Sequence, residues 1–357
     1  MPKILILVIN PGSTSTKLSM FENQNEIYTE TIHHDTDSLN SFSSIMDQQS
    51  FRYAIVKDFL VRNNIQIHKL SAVVGRGGLL KPIPSGTYRV NTIMIQDLKL
   101  ATYGEHACNL GAILGDAISQ EVHCPAYIVD PVVVDEMNPI ARYSGHPMIQ
   151  RKSIFHALNQ KAVARQAANQ LGKPYQDCQF IVAHLGGGIS IGAHVKGQVV
   201  DVNNALDGEG PFSPERAGGV PAGDLISLCY SEQFDEKTIR KSLVGKGGLI
   251  AYIGTHDLRE IQKKIEQGEP NVELVLKAMV YQICKEIGAM AAVMHGQIDA
   301  IVITGGIAYS NECVEAIKKQ VSWISPIIVI PGEAEMDALA QGTFRVITGE
   351  EKEKEYV

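Results

Sequence analysis

The chain has 357 residues, of which 45% are hydrophobic and 20% charged, and a formal net charge of −7. The length predicts two domains, and the composition is that of an ordinary globular protein. The negative net charge argues against a nucleic-acid partner, which would need a basic face.

Neither a secretory signal nor a membrane span is predicted. The first residues, MPKILILVIN, do not combine a charged region with a long apolar region, and no uncharged apolar run approaches the length of a bilayer crossing. The six cysteines are scattered, without a C-x-x-C pair or metal-ligand spacing. We therefore expect a cytoplasmic protein with reduced thiols.

The N-terminal segment predicts a strand, a polar turn and two further strands. Residues 4–9 are apolar, residues 10–17 (NPGSTSTK) are polar, and a strand pattern resumes at residues 18–20 and 27–32. The turn is not a P-loop, because Thr16 stands where the second glycine should be. The candidates for holding phosphoryl oxygens are Asn10, Ser13, Thr14, Ser15, Thr16 and Lys17. A plain polar turn is the alternative.

Two further strands are predicted to end in charged residues. A buried strand over residues 70–74 leads into Gly75-Arg76-Gly77-Gly78, and an arginine flanked by glycines suits two-pronged binding of a carboxylate or phosphate. A surface arginine in a loop is the alternative. The strand over residues 127–129 delivers Asp130 to its end, where we expect the carboxylate to be exposed at a cleft.

A domain boundary is predicted near Gln150, after a turn at residues 143–148. His156 follows in the segment RKSIFHA, which leads into a helix over residues 157–171. A lone histidine is more often structural than catalytic, so His156 gains weight only from the residues that surround it in the rest of the pattern.

The central segment predicts a hairpin with a glycine-rich tip. Residues 180–183 are apolar, residues 184–188 form a polar turn that begins with His184, and residues 189–193 alternate as a strand. The tip consists of Gly186, Gly187 and Gly188. Without Cβ atoms, its backbone N–H groups could close on a phosphate. The alternative is a hairpin whose glycines are needed only for positive φ angles.

The segment that follows carries further candidates. The loop over residues 207–219 is rich in glycine and proline, and Arg216 is its one cation. A helix is predicted to begin at Thr255, close to Asp257. A long helix over residues 272–296 is expected to be buried in the core or at a subunit contact.

The last strands end in glycines and carboxylates. The strand over residues 298–304 stops at Gly305-Gly306, where close backbone approach suits a planar adenosine group. The carboxylates that could lie beside magnesium, or merely favour the start of a helix, are Glu333, Glu335 and Asp337. The charged tail EEKEKEYV is expected to be solvated.

The pattern of strand, phosphate-type turn and two strands occurs twice, at the N-terminus and in the central segment. Duplication of one unit predicts two related halves with a cleft between them. Two such turns facing each other across a cleft suit the phosphates of a nucleotide.

Taken together, the motifs resemble those of the acetate and butyrate kinase family, within the superfamily of acetate and sugar kinases, Hsp70-type chaperones and actin. In chain order they are VINPGSTSTK, GRGG, EHACNLGA, the Asp130 strand, RKSIFHA, AHLGGGIS, the PER loop, VITGGI and PGEAEMDALA. Arg76, His156 and Arg216 indicate a carboxylate kinase. The chain is similar to the butyrate and branched-chain carboxylate kinases for two reasons. Its N-terminal motif reads NPGSTSTK where acetate kinases tend to have NAGSSS, and Gly77-Gly78 stand where acetate kinases carry bulky valines. Their missing side chains are expected to leave room for a longer acyl chain.

The resemblance implies an α/β fold of two domains, the duplicated ribonuclease H-like fold of actin-like ATPases, with an interdomain cleft. Residues 1–149 with 336–357 would form the carboxylate-side domain, and residues 150–335 the nucleotide-binding domain. The resemblance also implies a homo-oligomer, a dimer or larger, without a membrane or nucleic-acid partner.

The implied reaction is reversible in-line transfer of a phosphoryl group from ATP to a short-chain carboxylate such as butyrate, giving ADP and an acyl phosphate. An ionised acceptor needs no general base, so the difficulty is to bring two anions together. Arg76 and Arg216 would neutralise carboxylate and γ-phosphoryl charge, and His156 would hydrogen-bond the transferred group.

The resemblance assigns the remaining residues by matching motifs. Phosphate would be positioned by Asn10, Ser13, Ser15 and Lys17, with His184, Gly186, Gly187 and Gly188 opposite. Adenosine would be framed by Asp257, Arg259, Gly305 and Gly306. Asp130 and Glu335 would act near Mg²⁺, through water, and His106 would have a supporting role. The alternatives are an acetate or propionate kinase, a sugar kinase with Asp130 as general base, and an actin- or Hsp70-like ATP-driven switch.

Overall fold

The computed structural model describes residues 3–357, and these divide into two compact units. Unit 1 holds the described residues up to Val134 together with Ala334–Val357, and unit 2 holds Asp135–Glu333. The chain passes between the units after residues 134 and 333. The domain limits expected from the sequence, after residues 149 and 335, stay a prediction.

Fourteen strands lie within residues 3–357. They are β1 (Leu5–Pro11), β2 (Ser15–Glu22), β3 (Asn25–His33), β4 (Ala72–Arg76), β5 (Thr87–Arg89), β6 (Ala126–Val129), β7 (Tyr143–His146), β8 (Ile149–Gln150), β9 (Gln179–Leu185), β10 (Ile189–Val195), β11 (Gln198–Val202), β12 (Ala300–Gly305), β13 (Ile327–Pro331) and β14 (Lys354–Glu355).

Twelve α-helices lie in the same described part of the chain. They are α1 (Thr36–Asn40), α2 (Gln49–Arg62), α3 (Thr92–Lys99), α4 (Asn109–Val122), α5 (Ala157–Gln170), α6 (Ala222–Cys229), α7 (Glu236–Leu243), α8 (Leu249–Ile253), α9 (Leu258–Glu266), α10 (Val272–Val293), α11 (Asn311–Val321) and α12 (Glu335–Ile347). None of the helices in residues 3–357 is long and apolar enough to cross a membrane.

Unit 1 is built on a seven-stranded sheet in the order β14-β5-β6-β4-β1-β2-β3. β1, β2 and β3 form an antiparallel meander, and β4 and β6 run parallel to β1 on its other side. Residues 6–9 of β1 are completely buried, as expected for a central strand covered by helices. α4 packs so closely on β4 that a Cβ on Gly75 would stand 2.1 Å from the Gly111 carbonyl oxygen. This contact therefore requires glycine immediately before Arg76.

Unit 2 is built on a five-stranded sheet in the order β11-β10-β9-β12-β13. β9, β10 and β11 form an antiparallel meander, and β12 and β13 run parallel to β9. This is the order and direction of β3-β2-β1-β4-β6 in unit 1. The predicted duplication is confirmed.

Side chains of β9 alternate between two cores, which fixes the faces of the unit 2 sheet. Ile181, Ala183 and Leu185 join the core formed with α10 and α11, whereas Phe180 and Val182 join the core formed with α5. Both faces of the sheet are thus apolar, so polar side chains of the central strands collect at the strand ends.

Three local expectations are wrong. The charged tail is not simply solvated, because β14 pairs with β5 and Tyr356 is only 1% exposed, with its hydroxyl donating to Asp97 at 2.6 Å. α9 begins at Leu258 and is capped by Asp257, not by Thr255. Residues 143–150 form a small hairpin of β7 and β8 instead of a plain turn.

Candidate active site

An arginine and a carboxylate meet at the end of the unit 1 sheet. Arg76 closes β4 and Glu335 opens α12, and the Arg76 guanidinium lies 2.5 Å from the Glu335 carboxylate. The Asn10 amide, near the end of β1, donates to the same carboxylate at 2.8 Å. We call Asn10, Arg76 and Glu335 the arginine site. The Arg76 side chain is 26% exposed, so it can be reached by a ligand.

His106 lies beside the arginine site. Burial and the nearby Arg76 cation lower the pKa of His106. The Cys108 amide donates to its Nδ1 at 3.2 Å, so the proton of the neutral ring is on Nε2. His106 is therefore a neutral neighbour that can donate from Nε2, in keeping with the supporting role expected for it.

The N-terminal polar turn is shorter than predicted, because Ser15, Thr16 and Lys17 belong to β2. Thr16 is fully buried and its hydroxyl is shared between Arg52 at 2.9 Å and His34 at 2.8 Å. Thr16 was expected to contact phosphate and is not available to do so. The candidates that remain at the surface are Ser13, Thr14, Ser15 and Lys17, of which Ser15 is partly buried.

A buried cation that the sequence did not reveal lies behind this turn. Arg52 is fully buried and donates to the Ser15 carbonyl at 2.8 Å, to the Ser13 carbonyl at 3.5 Å and to Gln48 at 3.0 Å. None of the carboxylates in residues 3–357 forms a salt bridge with it, and burial lowers the pKa of Arg52 to about 10. Its charge is therefore uncompensated beneath the turn.

Asp130 is not exposed as expected. It is 2% exposed and sits at φ 39°, directly after β6. Its Oδ1 accepts from the Ser85 hydroxyl at 2.6 Å and the Gly86 amide at 2.7 Å. The loop before β5 turns back over the end of β6 and takes up the carboxylate, which sequence spacing alone did not indicate.

Gly77 and Gly78 do not border open space. A Cβ on Gly77 would lie 2.5 Å from Pro131, and one on Gly78 would lie 2.6 Å from both Asn109 and Leu98. The volume left by the missing side chains is thus already occupied. The expected enlargement of an acyl pocket at these glycines is wrong.

In unit 2, two histidines stack at the junction of α5 and β9. His156 immediately precedes α5 and His184 lies in β9, and their rings are 3.8 Å apart with an angle of 12°. His184 Nε2 faces the Glu333 carboxylate at 3.7 Å. We call His156, His184 and Glu333 the histidine site.

Asn159 and Ser190 orient the two rings. Asn159 Nδ2 donates to the Glu333 carbonyl at 2.8 Å. Its Oδ1, 2.7 Å from His184 Nδ1, therefore accepts a hydrogen bond from that ring. Ser190 Oγ lies 2.9 Å from His156 Nδ1. Neither Asn159 nor Ser190 was identified from the sequence, although Ser190 lies within the AHLGGGIS motif and Asn159 lies two residues after RKSIFHA.

The glycine tip between β9 and β10 owes its composition to space, not to positive φ. None of Gly186, Gly187 and Gly188 is in the left-handed region, which rules out the alternative stated above. A Cβ on Gly188 would lie 2.1 Å from an Arg216 guanidinium nitrogen, and one on Gly187 would lie 3.3 Å from Glu215. The tip therefore packs directly under the loop that carries Arg216.

Arg216 is held against this tip. Its guanidinium donates to the Ala205 carbonyl, and burial lowers its pKa although Glu215 opposes that effect. The Ser213 hydroxyl donates to the Gly187 carbonyl at 2.6 Å and ties the loop to the tip. Unit 2 thus presents a guanidinium beside three glycines, an arrangement suited to an anion.

A cavity of about 900 Å³ in unit 2 begins at the glycine tip. Asp257, Arg259 and Gly306 line it, as do Glu215 and Tyr309. Its volume is within the range of small-molecule sites.

Two of the residues expected to frame adenosine are already engaged. Asp257 and Arg259 pair with each other, with Arg259 Nη2 donating to Asp257 at 2.6 Å, and this pairing lowers the pKa of Asp257 to about 2. Gly305 has φ 88°, and a Cβ there would lie 2.3 Å from the Leu185 carbonyl oxygen. Its glycine is therefore required for packing of β12 against β9.

The candidate carboxylates differ in how well they suit Mg²⁺. No cluster of three or more His, Cys, Asp or Glu side chains suited to a metal occurs in the described part of the chain. Mg²⁺ bound with a nucleotide needs only one or two carboxylates beside phosphates and waters, so Glu335 fits this role. Asp130 fits it poorly because it is buried against Ser85 and Gly86. Asp337 is exposed.

Comparison with known proteins identifies the family. The model of the Acetokinase family matches residues 139–339, more than half of the chain. The chain is similar to the crystal structure of acetate kinase from Porphyromonas gingivalis, with 21% identity and a TM-score of 0.79 over 96% of this chain and 100% of that chain.

Two other solved structures agree. A propionate kinase from Francisella tularensis subsp. tularensis SCHU S4 is 21% identical, with a TM-score of 0.72 over 95% of this chain and 98% of that chain. Acetate kinase from Entamoeba histolytica is 18% identical, with a TM-score of 0.74 over the same shares. These likenesses confirm the predicted α/β fold with two duplicated sheets. Because the family model spans more than half of its residues, the chain belongs to the acetokinase family, whose members are carboxylate kinases.

Proposed function

We propose that this protein transfers the γ-phosphoryl group of ATP to a short-chain carboxylate, butyrate or a branched acid, and that it does so reversibly. The observation that carries the proposal is the arginine site, where a partly exposed guanidinium holds a carboxylate. Asp130, the residue that a sugar kinase would need as a general base, is buried and hydrogen-bonded. This chemistry suits an acceptor that is already ionised.

Arg76 is the residue proposed to bind the substrate carboxylate. Its present partner is the carboxylate of Glu335, so an incoming acid would replace one carboxylate with another at the same guanidinium. The exchange would release Glu335, which together with Asn10 would face the metal and the phosphates. When bound, Mg²⁺ would neutralise charge on the phosphate oxygens.

The nucleotide is proposed to bind in unit 2. The 900 Å³ cavity offers room for adenosine beside Gly306. The N–H groups of Gly187 and Gly188 would hold phosphate, with Arg216 and His156 beside the transferred group. The Gly186 N–H donates to the Gly188 carbonyl at 3.1 Å, so Gly186 would contribute close backbone approach. Ser13, Ser15 and Lys17 of unit 1 are proposed as further phosphate contacts. The Asp257–Arg259 pair borders the cavity.

The step balances without proton transfer. A carboxylate oxygen forms the new bond to the γ-phosphorus while the bond from that phosphorus to the bridging oxygen breaks, and ADP leaves with the bonding pair. Charge moves between oxygens throughout, so cationic and N–H groups stabilise the transition state and no general base is required.

The length of the acid is the finer part of the proposal. Butyrate or a branched acid is supported by the NPGSTSTK motif alone, because the glycines at positions 77 and 78 leave no space for a longer acid. Acetate and propionate are equally supported by the family and are the alternative. We further propose that the protein is cytoplasmic. We also propose a homo-oligomer, since the apolar side chains of Leu274 and Tyr281 on α10 are 66% and 57% exposed.

The test is an acyl-phosphate assay, in which hydroxylamine traps the product of ATP, Mg²⁺ and straight or branched acids of two to six carbons. We expect hydroxamate to form, most rapidly with four- or five-carbon acids. Preference for acetate would remove the butyrate assignment. ATP hydrolysis without any hydroxamate would favour the conformational-switch alternative and end the kinase proposal.

Two substitutions connect the activity to the arginines. Arg76→Ala and Arg216→Ala are each expected to lower turnover about a hundredfold or more, as loss of a charge-stabilising donor does. Circular dichroism should remain unchanged. Arg62→Ala, which removes an exposed arginine paired with Asp58, serves as the matched control.

A further inference from the structure

A chain of buried polar side chains runs between α5 and β10 on one face of the unit 2 sheet and ends at His156. Its members are Tyr175, His194, Gln160 and Ser190, and the last three are fully buried. The contacts are 2.7 Å from the Tyr175 hydroxyl to His194 Nδ1, 2.9 Å from His194 Nε2 to Gln160 Oε1, 2.8 Å from Gln160 Nε2 to Ser190 Oγ and 2.9 Å from Ser190 Oγ to His156 Nδ1. We call these four residues the relay.

The direction of each hydrogen bond in the relay follows from its neighbours. Gln160 Nε2 lies 3.0 Å from the Ser190 carbonyl, which can only accept, so this end of the amide is the NH₂ group. The other end, Oε1, must accept, and His194 Nε2 therefore carries a proton. Burial, with Lys161 and Arg165 nearby, lowers the pKa of His194 far below its usual value. The ring is thus neutral, and its Nδ1 accepts from the Tyr175 hydroxyl.

The Ser190 hydroxyl is then left with one direction in which to donate. Gln160 Nε2 donates to it at 2.8 Å, and the His156 main-chain N–H donates to it at 3.5 Å. Within residues 3–357, His156 Nδ1 is the one contact of the Ser190 hydroxyl that can accept a hydrogen bond from it. Neutral His156 therefore keeps its own proton on Nε2, the nitrogen that points away from Ser190.

The neighbouring ring is fixed in the opposite way. His184 donates from Nδ1 to Asn159, so in its neutral form Nε2 has no proton. The stacked pair thus offers an N–H donor from His156 without requiring a charge, whereas His184 Nε2 faces the Glu333 carboxylate. A phosphoryl oxygen needs the donor.

We propose that the relay is a positioning device that fixes His156 in its Nε2–H tautomer, so that this N–H is ready to donate to the transferred phosphoryl group. Ser190 is the positioning residue in contact with His156. Because Gln160 donates to the Ser190 hydroxyl, that hydroxyl donates in turn to His156. The proposal rests on the proposed function for its purpose, whereas the tautomer itself is a property of the free protein.

The test is long-range ¹H–¹⁵N correlation on the full chain labelled with ¹⁵N-histidine, without ligand and at neutral pH. His156→Gln identifies the His156 signals by their loss. We expect a protonated Nε2 and an unprotonated Nδ1 for His156, and a protonated Nδ1 for His184. A neutral His156 protonated at Nδ1 in the wild type would overturn the proposal.

Variants of Ser190 and Gln160 then test the cause. Ser190→Ala removes the donor to His156 but leaves Gln160 its bond to the main-chain carbonyl. We expect both tautomers of His156 to become visible and kcat to fall roughly tenfold, which corresponds to loss of about one hydrogen bond. Ser190→Thr, which keeps the hydroxyl, should restore the Nε2–H tautomer. Unchanged His156 signals in Ser190→Ala would contradict the role of Ser190.

Gln160→Met tests whether the relay behind Ser190 matters. Both His156 tautomers are expected again, and a spectrum identical to that of the wild type would overturn the relay. Ser325→Ala is the matched control, since Ser325 is a buried serine of unit 2 that donates to the Ile298 carbonyl at 2.9 Å. The tautomers are measured without substrate, so this test does not depend on the activity. Absence of acyl-phosphate formation would contradict the proposed function but not the inferred tautomer of His156.

Discussion

Replacing Gly188 by alanine is expected to displace the Arg216 guanidinium although Arg216 itself is unchanged. The added Cβ would lie 2.1 Å from Arg216 Nη1 and 2.7 Å from Cζ, both far inside van der Waals contact. Gly188 has no positive φ, so the backbone accepts alanine. The guanidinium is the end of a flexible side chain and must move away, which breaks its donation to the Ala205 carbonyl.

The size of the effect can be bounded. Complete removal of a charge-stabilising donor raises the activation barrier by about 3–4 kcal/mol. A guanidinium displaced by roughly an ångström or two keeps its charge but loses the geometry of its hydrogen bonds to the transferred group. We expect turnover to fall roughly tenfold to hundredfold, or about 1.4–2.8 kcal/mol. Stability should change less, because alanine restricts the unfolded chain and offsets part of the lost hydrogen bond by about 0.4–1 kcal/mol.

A double-mutant cycle in the hydroxamate assay decides whether this reasoning holds. If Gly188→Ala acts through Arg216, the double variant with Arg216→Ala will be no slower than Arg216→Ala alone. Additive losses would refute the steric mechanism. Gly223→Ala is the control, because a Cβ on Gly223 in α6 meets nothing within 4 Å, and its turnover should equal that of the wild type.

Three further predictions concern unit 1. Burial, followed by the charges of Arg52 and His33, lowers the pKa of His34 to about 4, so between about pH 6.5 and 4 the unfolded chain takes up a proton that the folded chain does not. Stability should therefore fall as the pH falls through this window, and His34→Gln should lose less in urea unfolding across the same pH range. Asp130→Ala leaves the Ser85 hydroxyl and Gly86 amide without their acceptor and should lower stability by about 1–3 kcal/mol, whereas Asp130→Asn keeps an acceptor and should cost less; equal losses would contradict the structural role. Arg52→Met removes the cation behind the N-terminal turn and should raise the KM for ATP roughly tenfold, the effect of one charge-assisted hydrogen bond. Arg52→Lys should restore part of the affinity for ATP. An equal rise in the KM for the acid would indicate general damage to the fold.

The strands and the residues at their ends could be predicted because their signals are local. Alternation and apolar runs located β1, β4, β9 and β12, and the runs of β4 and β9 located Arg76 and His184 where polar residues interrupt them. The duplication followed from comparing two such runs. These inferences need only neighbours in sequence, whereas the two-domain fold and the roles of the candidate residues were taken from the resemblance to the family.

The partners of those residues could not be predicted, because they come from distant parts of the chain. Arg76 meets Glu335 from 259 positions away, and Asn10 meets it from 325 positions away. The burial of Asp130 depends on where the Ser85–Gly86 loop folds back. No periodicity encodes such contacts, since they arise when helices and loops pack on a completed sheet.

The reason why a position requires glycine also could not be predicted from the sequence. The sequence identified Gly186, Gly187 and Gly188 as a special turn and attributed them to phosphate approach or to positive φ. The structure adds a third cause, because an arginine guanidinium occupies the position where the Cβ of residue 188 would be. At Gly77 and Gly78 the missing side chains also make room for protein atoms, so a glycine in sequence does not by itself indicate a space for ligand.

The duplicated sheets explain how one scaffold supports two kinds of chemistry. In unit 1, Ile9 pairs with Gly75, so the next residues, Asn10 and Arg76, emerge together at the sheet end. In unit 2, the same pair of central strands brings His184 opposite Thr304. Equivalent backbone positions thus carry an amide and a guanidinium in one unit, but an imidazole and a hydroxyl in the other. Because β1 and β9 are each buried in the middle of a sheet, only their last residues can become polar without disturbing a core. The side chains at these two pairs of strand ends therefore differ between the halves, although the backbones are equivalent.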